Sequence, residues 1–541
     1  MKIKRLISLV LATAMVATMF AACGKKEAPK TAATEGTTLT VALGSDIVAL
    51  DPAFAYDFTT NPVVNQVTEG LLTFDENNQL VPQLAKSWEI VDDVTYKYVI
   101  RDDVKFSDGT PMTMEDVLFS LERTKNPDVA SYLGWMFGSV ESIKQTGDWE
   151  ITVKLKQPDA TWQYVPGTTA GHIISKAYYE AHKDTFGTAE GGLMGTGPYK
   201  YSSWKSGTEI VLDKNENYRD AAKIEVSKLI FKIIPEDTTR VTAMQTEQVD
   251  FTAEPPLDML KTLRDSGKVN LDSVETMGIS YLAFNTQKAP FDDVNVRKAI
   301  YHAINFKPLY ENIIKEAGIP ATVLPHGKSL YTIEPERWAE YEKNAPKYEY
   351  NLEKAKEYMA KSSVPNGFDC NLMITESSLS YSKGLAVQEA LKALNINVEL
   401  IKLSSEEHTK YQFGNAFDAD GKRDYDMIIA GWEADYPDIS GNIEPLYAKA
   451  NAGEGGANAA AYVNDKVDEL ITKQKASTDP TQRNDLIFEA LDIISDEVPY
   501  IFIEYPVKNV AMNKKFEGFK MNASWLWNIR FDSIKTVKTE G

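Results

Sequence analysis

Apolar residues recur at two spacings along the chain and divide it into predicted strands and helices. Leu39, Val41 and Leu43 alternate with other residues, which predicts a strand. Residues 61–74 place apolar side chains at helical spacing, and 88–106 predict a β-hairpin. Further strands are predicted at 151–157, 195–204, 209–215, 228–234, 368–377, 397–403, 424–432 and 500–513. Further helices are predicted after Thr113 as N-cap and at 174–184, 294–316, 351–362, 382–396, 465–475 and 482–494. Residues 238–251 predict a helix followed by a strand.

The order of these elements indicates the fold class. Strands alternate with helices over the second half of the chain, which is typical of an α/β protein. A chain of 541 residues is long enough for two to four domains, at roughly 100–200 residues each.

The first residues have the pattern of an export signal. Cations at Lys2, Lys4 and Arg5 precede an apolar run that ends in small residues, which predicts a signal peptide over 1–22. The rest of the sequence contains no apolar run of 18 residues, so no membrane span is expected.

Cys23 stands directly after the predicted cleavage site, and this arrangement resembles a bacterial lipobox. Phe20 departs from that pattern, in which leucine is usual, and an ordinary secretory signal is the alternative. The polar residues 23–37 then form a lipidated tether. Cys370 is the only other cysteine, so no intrachain disulfide is expected.

The charge of the chain restricts its partners. The formal net charge is −20, which repels nucleic acid and anionic membrane surfaces and favours cationic or zwitterionic ligands. We therefore expect no nucleic-acid partner.

Catalytic and metal-binding motifs are absent from the sequence. There is no G-x-S-x-G, H-E-x-x-H or P-loop, and none of the five histidines pair at i, i+4. Two cysteines exclude a cysteine-rich metal site. We expect no cofactor, no metal and no enzymatic activity, which suits an exported binding protein.

Seven motifs in register carry a family likeness. They are SDIVALDP (45–52), TEGLL (68–72), LAKSWE (84–89), VKFSDGTPMTMEDVLFSLER (104–123), GTGPYK (195–200), FNTQKAPFDDVNVRKAIYHAIN (284–305) and GWEADYPD (431–438). Together they resemble the oligopeptide/dipeptide-type solute-binding proteins of ABC importers, family 5, from about residue 38 to the C-terminus.

This resemblance implies an α/β, two-lobed periplasmic-binding-protein fold, type II and cluster C-like, with an extra inserted α+β domain. The lobes would close on ligand about a hinge, with chain crossings near Asn285 and Tyr505. The implied domains are 38–70, 192–285 and 506–541 for lobe one, 71–191 for the insert, and 286–505 for lobe two.

The resemblance also implies a ligand site at the GWEADYPD loop. Asp435 would accept hydrogen bonds from a peptide α-ammonium, and Trp432 would wall a side-chain pocket. The backbone of Gly431 and Glu433 would pair with the ligand as an added strand. Alternatively Asp435 is a solvated turn acid and Trp432 is packed core; Asp438 is expected to be a turn residue.

Tyr56, Asp57 and Phe58 would pair with the ligand from the opposite side. Tyr132 and Trp135 either line the insert's side of the cleft or serve packing.

The residue that meets the ligand carboxylate is left open. Many oligopeptide binders have an arginine two residues before the Gly-Trp pair, whereas this chain has Ile429. Lys422, Arg423 and His408 are candidate substitutes.

The hypothesis is a monomeric, lipid-anchored protein outside the cell membrane that captures peptides and delivers them to an ABC permease. One alternative is a family member that binds a nickel chelate, a sugar, an opine or a signalling peptide. Another is an extracellular hydrolase or a chaperone-like lipoprotein.

Overall fold

A twelve-stranded mixed sheet is the largest element of the protein. The computed structural model describes residues 36–419, 421–524, 527 and 529–538. The described residues from Thr38 onward form one compact unit.

Twenty-two strands lie in the described residues. They are β1 (Thr37–Leu43), β2 (Glu69–Gly70), β3 (Leu72–Phe74), β4 (Leu80–Pro82), β5 (Ala85–Asp92), β6 (Thr95–Ile100), β7 (Val140–Gly147), β8 (Glu150–Leu155), β9 (His172–Ile173), β10 (Tyr199–Lys205), β11 (Glu209–Lys214), β12 (Val226–Ile233), β13 (Phe251–Thr252), β14 (Val269–Glu275), β15 (Gly278–Phe284), β16 (Gly318–Pro320), β17 (Phe368–Thr375), β18 (Ile396–Leu403), β19 (Met427–Glu433), β20 (Tyr500–Asn513), β21 (Phe516–Glu517) and β22 (Lys535–Thr536).

The α-helices of the same residues flank these strands. They are α1 (Asn61–Val67), α2 (Met114–Lys125), α3 (Lys176–Ala181), α4 (Asp237–Gln245), α5 (Leu260–Asp265), α6 (Val294–Ala303), α7 (Phe306–Leu309), α8 (Pro335–Asn344), α9 (Leu352–Lys361), α10 (Ser378–Leu391), α11 (Ser405–Gln412), α12 (Ser440–Tyr447), α13 (Asp465–Lys475) and α14 (Pro480–Glu497).

The central strand of the large sheet is β20. The strand order is β10-β11-β12-β1-β13-β20-β15-β19-β17-β18, and β14 and β16 also pair with β20. The first residues of β20 pair with β15, and its residues Val507–Asn513 pair with β14. One strand of 14 residues therefore joins the sheet of the first half of the chain to that of the second.

The change of pairing partner locates a chain crossing. β14 ends at Glu275 and β15 begins at Gly278, and the N–H of Thr276 donates to the Pro506 carbonyl at 2.9 Å. We propose that the first crossing lies at 276–277, before the predicted position near Asn285, because Asn285 already follows a strand inside the second-half sheet. The second crossing, near Tyr505, stays a prediction.

A separate antiparallel sheet, in the order β5-β6-β8-β7, lies within the predicted insert at 71–191. Helix α2 packs on β7, and its N-terminus has a capping box in which Thr113 and Asp116 each accept from the other's backbone N–H. The predicted N-cap is therefore confirmed. The sheet has its own apolar core, which includes Tyr96, Tyr98 and Trp162.

Two predicted helices are shorter than expected, one because of a tertiary ion pair and one because of a local cap. Helix α1 ends at Val67, since Glu69 is buried and paired with Arg219 at 2.7 Å, which holds β2 extended. Helix α6 ends at Ala303, since the Asn305 side chain caps a new turn.

The glycines of GTGPYK permit a close backbone approach that seats α1. A Cβ added to Gly195 would lie 2.1 Å from the Val67 carbonyl oxygen, and one at Gly197 would lie 2.6 Å from that of Gln66. The two glycines therefore have a structural role, since they leave room for the backbone of α1. Helix α1 follows directly on the Tyr56–Phe58 segment, so its position matters for the site.

We expect Gly195→Ala to lower the free energy of unfolding by about 1–3 kcal/mol, because the added methyl group would overlap backbone atoms that cannot move aside. Gly453→Ala is the matched control, since a Cβ there meets nothing within 4 Å. Its effect should stay within about 0.5 kcal/mol. Urea denaturation followed by tryptophan fluorescence compares the two, and equal midpoints would contradict the close-approach argument.

Candidate functional site

A cavity of about 650 Å³ is lined by three distant parts of the chain. Tyr56 comes from the segment after β1, and Trp135 belongs to the part that carries the four-stranded sheet. Trp432 and Asp435 come from the end of β19 and the loop that follows. The structure thus brings three predicted site residues, Tyr56, Trp432 and Asp435, to one cavity wall.

Asp435 lies at the centre of a small polar and aromatic cluster. The Tyr56 hydroxyl donates to its Oδ1 at 2.6 Å. The Tyr56 ring stacks on Trp527, with ring centroids 5.8 Å apart, and the Trp527 indole N–H donates to the Asp435 carbonyl oxygen. Sequence reasoning missed Trp527, which no motif marks and which lies 92 residues away along the chain.

The environment of Asp435 disfavours its charge. Loss of hydration raises the pKa of Asp435 to about 6, although the hydrogen bond from Tyr56 opposes that shift. The same burial and the nearby carboxylate raise the pKa of Tyr56, so its hydroxyl keeps its proton and donates it. A carboxylate in such a position gains strongly from a cationic partner.

Trp432 combines the two roles that the sequence left open. Its indole N–H donates to the Gly441 carbonyl at 2.6 Å, and its ring meets Phe413 edge-on at 6.3 Å. These contacts hold the half-buried side chain rigidly, and one part of it still lines the cavity.

The outer edge of β19 is open where a ligand backbone was expected. β17 pairs with β19 only at Met427 and Ile428, while Gly431 is exposed. The Gly431 carbonyl accepts from the Gln412 side chain at 2.7 Å, so a ligand that pairs there has to displace Gln412. Backbone pairing at this position stays a prediction.

Glu433 turns its side chain away from the cavity and toward the chain crossing. Its carboxylate accepts from the Thr276 hydroxyl and from the Met277 N–H, each at 3.0 Å. Burial raises the pKa of Glu433 to about 7, and these two bonds oppose the shift.

The segment after β1 contributes one residue to the cavity. Tyr56 lines it, whereas the Asp57 carboxylate accepts from the N–H groups of Thr59 and Thr60, at 2.8 and 2.7 Å. Phe58 lies beside a separate small cleft, with the Lys508 ammonium 5.3 Å from its ring centroid. The predicted ligand roles of Asp57 and Phe58 remain predictions.

The insert supplies Trp135, which lines the cavity although 53% of it is exposed. Tyr132 is equally exposed, but it packs edge-on against Phe54 at 5.3 Å and is outside the wall of the cavity.

The three candidate partners for a ligand carboxylate lie elsewhere. Arg423 is buried and donates to backbone carbonyls, among them that of Gly456 at 2.9 Å. The His408 Nε2 lies 2.9 Å from the Ile429 carbonyl oxygen, and Lys422 is exposed outside the cavity. The cavity is lined instead by two lysines, 156 and 475, which no motif indicated.

Asp438 has a structural role larger than the predicted turn. Besides accepting from the Ser440 N–H at 2.9 Å, it forms a two-fold ion pair with Arg483 in which both bonds measure 2.8 Å. Burial alone would raise the pKa of Asp438, but Arg483 outweighs it and holds the pKa below its usual value. This pair anchors the loop that carries Asp435.

Other sequence predictions concern metals and the membrane. No group of His, Cys, Asp and Glu suited to a metal ion occurs within the described residues. No helix among them has the length and apolar character to cross a bilayer. Cys370 is buried, which raises the pKa of its thiol to about 12. The signal peptide and Cys23 lie outside the described residues.

Comparison with known proteins agrees with this architecture. Residues 79–454 match the family model "Bacterial extracellular solute-binding proteins, family 5 Middle". The probable D,D-dipeptide-binding periplasmic protein DdpA of Escherichia coli is 27% identical, over 90% of this chain and 91% of that protein. The glutathione-binding protein GsiB of Pectobacterium atrosepticum is 25% identical, over 88% and 90%.

A solved structure is similar over the same length. The ABC transporter-associated periplasmic binding protein DppA from Helicobacter pylori, in complex with peptide STSA, has a TM-score of 0.74 and 27% identity, and the match covers 93% of this chain and 98% of that one.

The chain belongs to the family 5 bacterial extracellular solute-binding proteins, which serve ABC importers. The predicted family and the two-lobed α/β fold are confirmed. Because these relatives are binding proteins, the expectation that the chain is not an enzyme is also confirmed.

Substitutions of Asp435 and Asp438 in this loop are expected to change the free energy of unfolding by different amounts. Asp438→Asn leaves Arg483 buried without its partner and should cost roughly 3–5 kcal/mol of unfolding free energy. Asp435→Asn should cost little or stabilise at pH 7.5, because a carboxyl whose pKa is raised on folding destabilises the fold once it is ionised. Urea denaturation midpoints measure both, and equal losses would contradict this assignment.

Proposed function

We propose that this protein captures short peptides outside the cell membrane and delivers them to the permease of an ABC importer. Asp435 carries the proposal: it lines the cavity as a poorly hydrated carboxylate beside a hydroxyl donor. Within the described residues, no lysine or arginine lies in salt-bridge range of it. A peptide α-ammonium supplies the missing charge and additional hydrogen bonds.

The relatives support an amine-bearing ligand. One is described as D,D-dipeptide-binding, one as glutathione-binding, and one is solved with a peptide. A cavity of about 650 Å³ falls within the range of about 300–1,000 Å³ that small-molecule sites occupy. Trp432 and Trp135 then provide apolar walls for ligand side chains.

Ligand capture is proposed to couple to closure of the two lobes. With the first crossing at 276–277, lobe one comprises 38–70, 192–277 and 506–541, lobe two comprises 278–505, and the insert comprises 71–191. The hydrogen bond from Tyr56 to Asp435 then spans the two lobes. A ligand at Asp435 contacts both lobes, which gives it a differential affinity for the closed form.

Cys23 is proposed to carry the lipid that holds the protein at the membrane surface. The export pattern of residues 1–22 and the polar tether of 23–37 support this arrangement. We propose that the protein acts as a monomer, as a carrier that meets its permease transiently.

Mass spectrometry of the ligands that co-purify with residues 24–541 tests the peptide assignment. We expect the native chain to release a ladder of mixed peptides on denaturation. Asp435→Ala should release much less, while Asp148→Ala, which removes an exposed turn carboxylate, should match the native chain. A single non-peptide species, such as a nickel chelate, sugar or opine, would overturn the assignment, as would peptides unaffected by the Asp435 substitution.

The affinity for a peptide is expected to depend on pH through Asp435. Its carboxyl has to lose its proton before it can bind an ammonium, so affinity should fall about tenfold per unit below pH 6. Above about pH 8 it should fall again as the α-amino group, with a pKa of about 7.7–8.0, loses its charge. Calorimetric titrations from pH 5 to 9 measure this, and Asp435→Asn should abolish the acidic limb. An unchanged acidic limb in that variant would assign the titration to another group.

A further inference from the structure

One part of the cavity wall is formed by adjoining residues of the insert. Gly138 and Ser139 precede β7, and Lys156 and Gln157 follow β8, and all four line the cavity. The two segments are tied together, since the Lys156 N–H donates to the Ser139 carbonyl at 2.8 Å. Two segments that flank neighbouring strands of one sheet thus meet at this part of the cavity wall.

The ammonium of Lys156 is held at this wall. Its Nζ donates to the Gly138 carbonyl at 2.9 Å, and Gly138 itself lines the cavity. A lysine ammonium has three N–H donors, so two remain for other acceptors. The side chain is exposed, which leaves it accessible to a molecule in the cavity.

The two lysines of the cavity differ in how their charge is compensated. Lys475 forms an ion pair with Glu444 at 2.8 Å, and Asp159 also acts on it electrostatically. Lys156 has no carboxylate within salt-bridge distance in the part of the chain that the structure describes. A ligand anion can therefore pair with Lys156 without displacing a carboxylate of the protein, which it would have to do at Lys475.

Ser139 supplies an independent observation. Its hydroxyl oxygen is buried and finds no hydrogen-bond partner among the described residues. An unsatisfied buried hydroxyl costs roughly 1–3 kcal/mol, so most such groups in native proteins have a partner. A carboxylate bound at Lys156 can accept this hydrogen bond, since a serine hydroxyl turns freely toward an acceptor.

We propose that Lys156, assisted by Ser139, binds the carboxylate of a zwitterionic peptide whose ammonium is bound by Asp435. This inference rests on the proposed function and adds the anionic half of the site. The ligand then connects the insert to the GWEADYPD loop, and the separation of Lys156 from Asp435 selects peptide length. Lys156 is a specificity-determining residue for compact peptides with a free C-terminus.

Two pools of Ala-Xaa, Ala-Xaa-Ala and Ala-Xaa-Ala-Ala peptides test the assignment, one with free C-terminal carboxylates and one amidated. Affinity-selection mass spectrometry compares their retention by the native chain, Lys156→Gln and Lys154→Gln. Lys154 is the matched control, because it lies on β8, pairs with Glu141 at 3.8 Å and is outside the cavity. The native chain and Lys154→Gln should prefer the free acids by about tenfold or more.

Lys156→Gln should lose this preference while it retains the amides with unchanged affinity. Lys156→Arg, which restores the cation, should recover it. Two results would overturn the Lys156 assignment and leave the proposal of peptide binding intact. One is that a folded Lys156→Gln protein retains neither the free acids nor the amides. The other is that its preference for the free acids is unchanged. Failure of the native chain to retain any peptide from either pool would overturn the proposed function and this inference together.

Discussion

The strand Tyr500–Asn513 is the covalent and hydrogen-bonded link on which the architecture depends. It pairs with β15 at one end and with β14 at the other, so neither part of the large sheet is complete without it. Because one continuous strand of 14 residues runs through both parts, their separation along that strand is fixed. The cavity owes its place to this arrangement, which brings the Tyr56 segment opposite the end of β19.

The GWEADYPD loop assigns opposite environments to two aspartates three residues apart. Asp438 has a full guanidinium partner in the interior, and Asp435 has a hydroxyl and restricted hydration. The charge of Asp438 is therefore neutralised by a cation of the protein, whereas the charge of Asp435 is not. An anchored loop that presents an unsatisfied charge is pre-organised for a ligand, since little side-chain freedom remains to be lost on binding.

Much of the fold followed from local pattern. Helix Asp465–Lys475 and strand Tyr500–Asn513 have the predicted bounds, and the motifs located Tyr56, Trp432 and Asp435, which meet in one cavity. Partners that are remote along the chain could not be predicted in this way. Trp527 against Asp435, Arg483 against Asp438 and Lys156 at the cavity wall have no local signature. Hydrophobic periodicity records which face of an element is buried, but it does not record which distant polar group lies across from it.

Glu433 and Asp435 stand two residues apart at the end of β19, with buried Ala434 between them. The Glu433 carboxylate accepts hydrogen bonds from Thr276 and Met277 at the proposed crossing, and Asp435 lines the cavity. Under the proposed closure, a rotation at this crossing would therefore move the Asp435 carboxylate, since a single residue separates Asp435 from Glu433. The angle between the proposed lobes and the position of the charge proposed to bind the ligand would then change together.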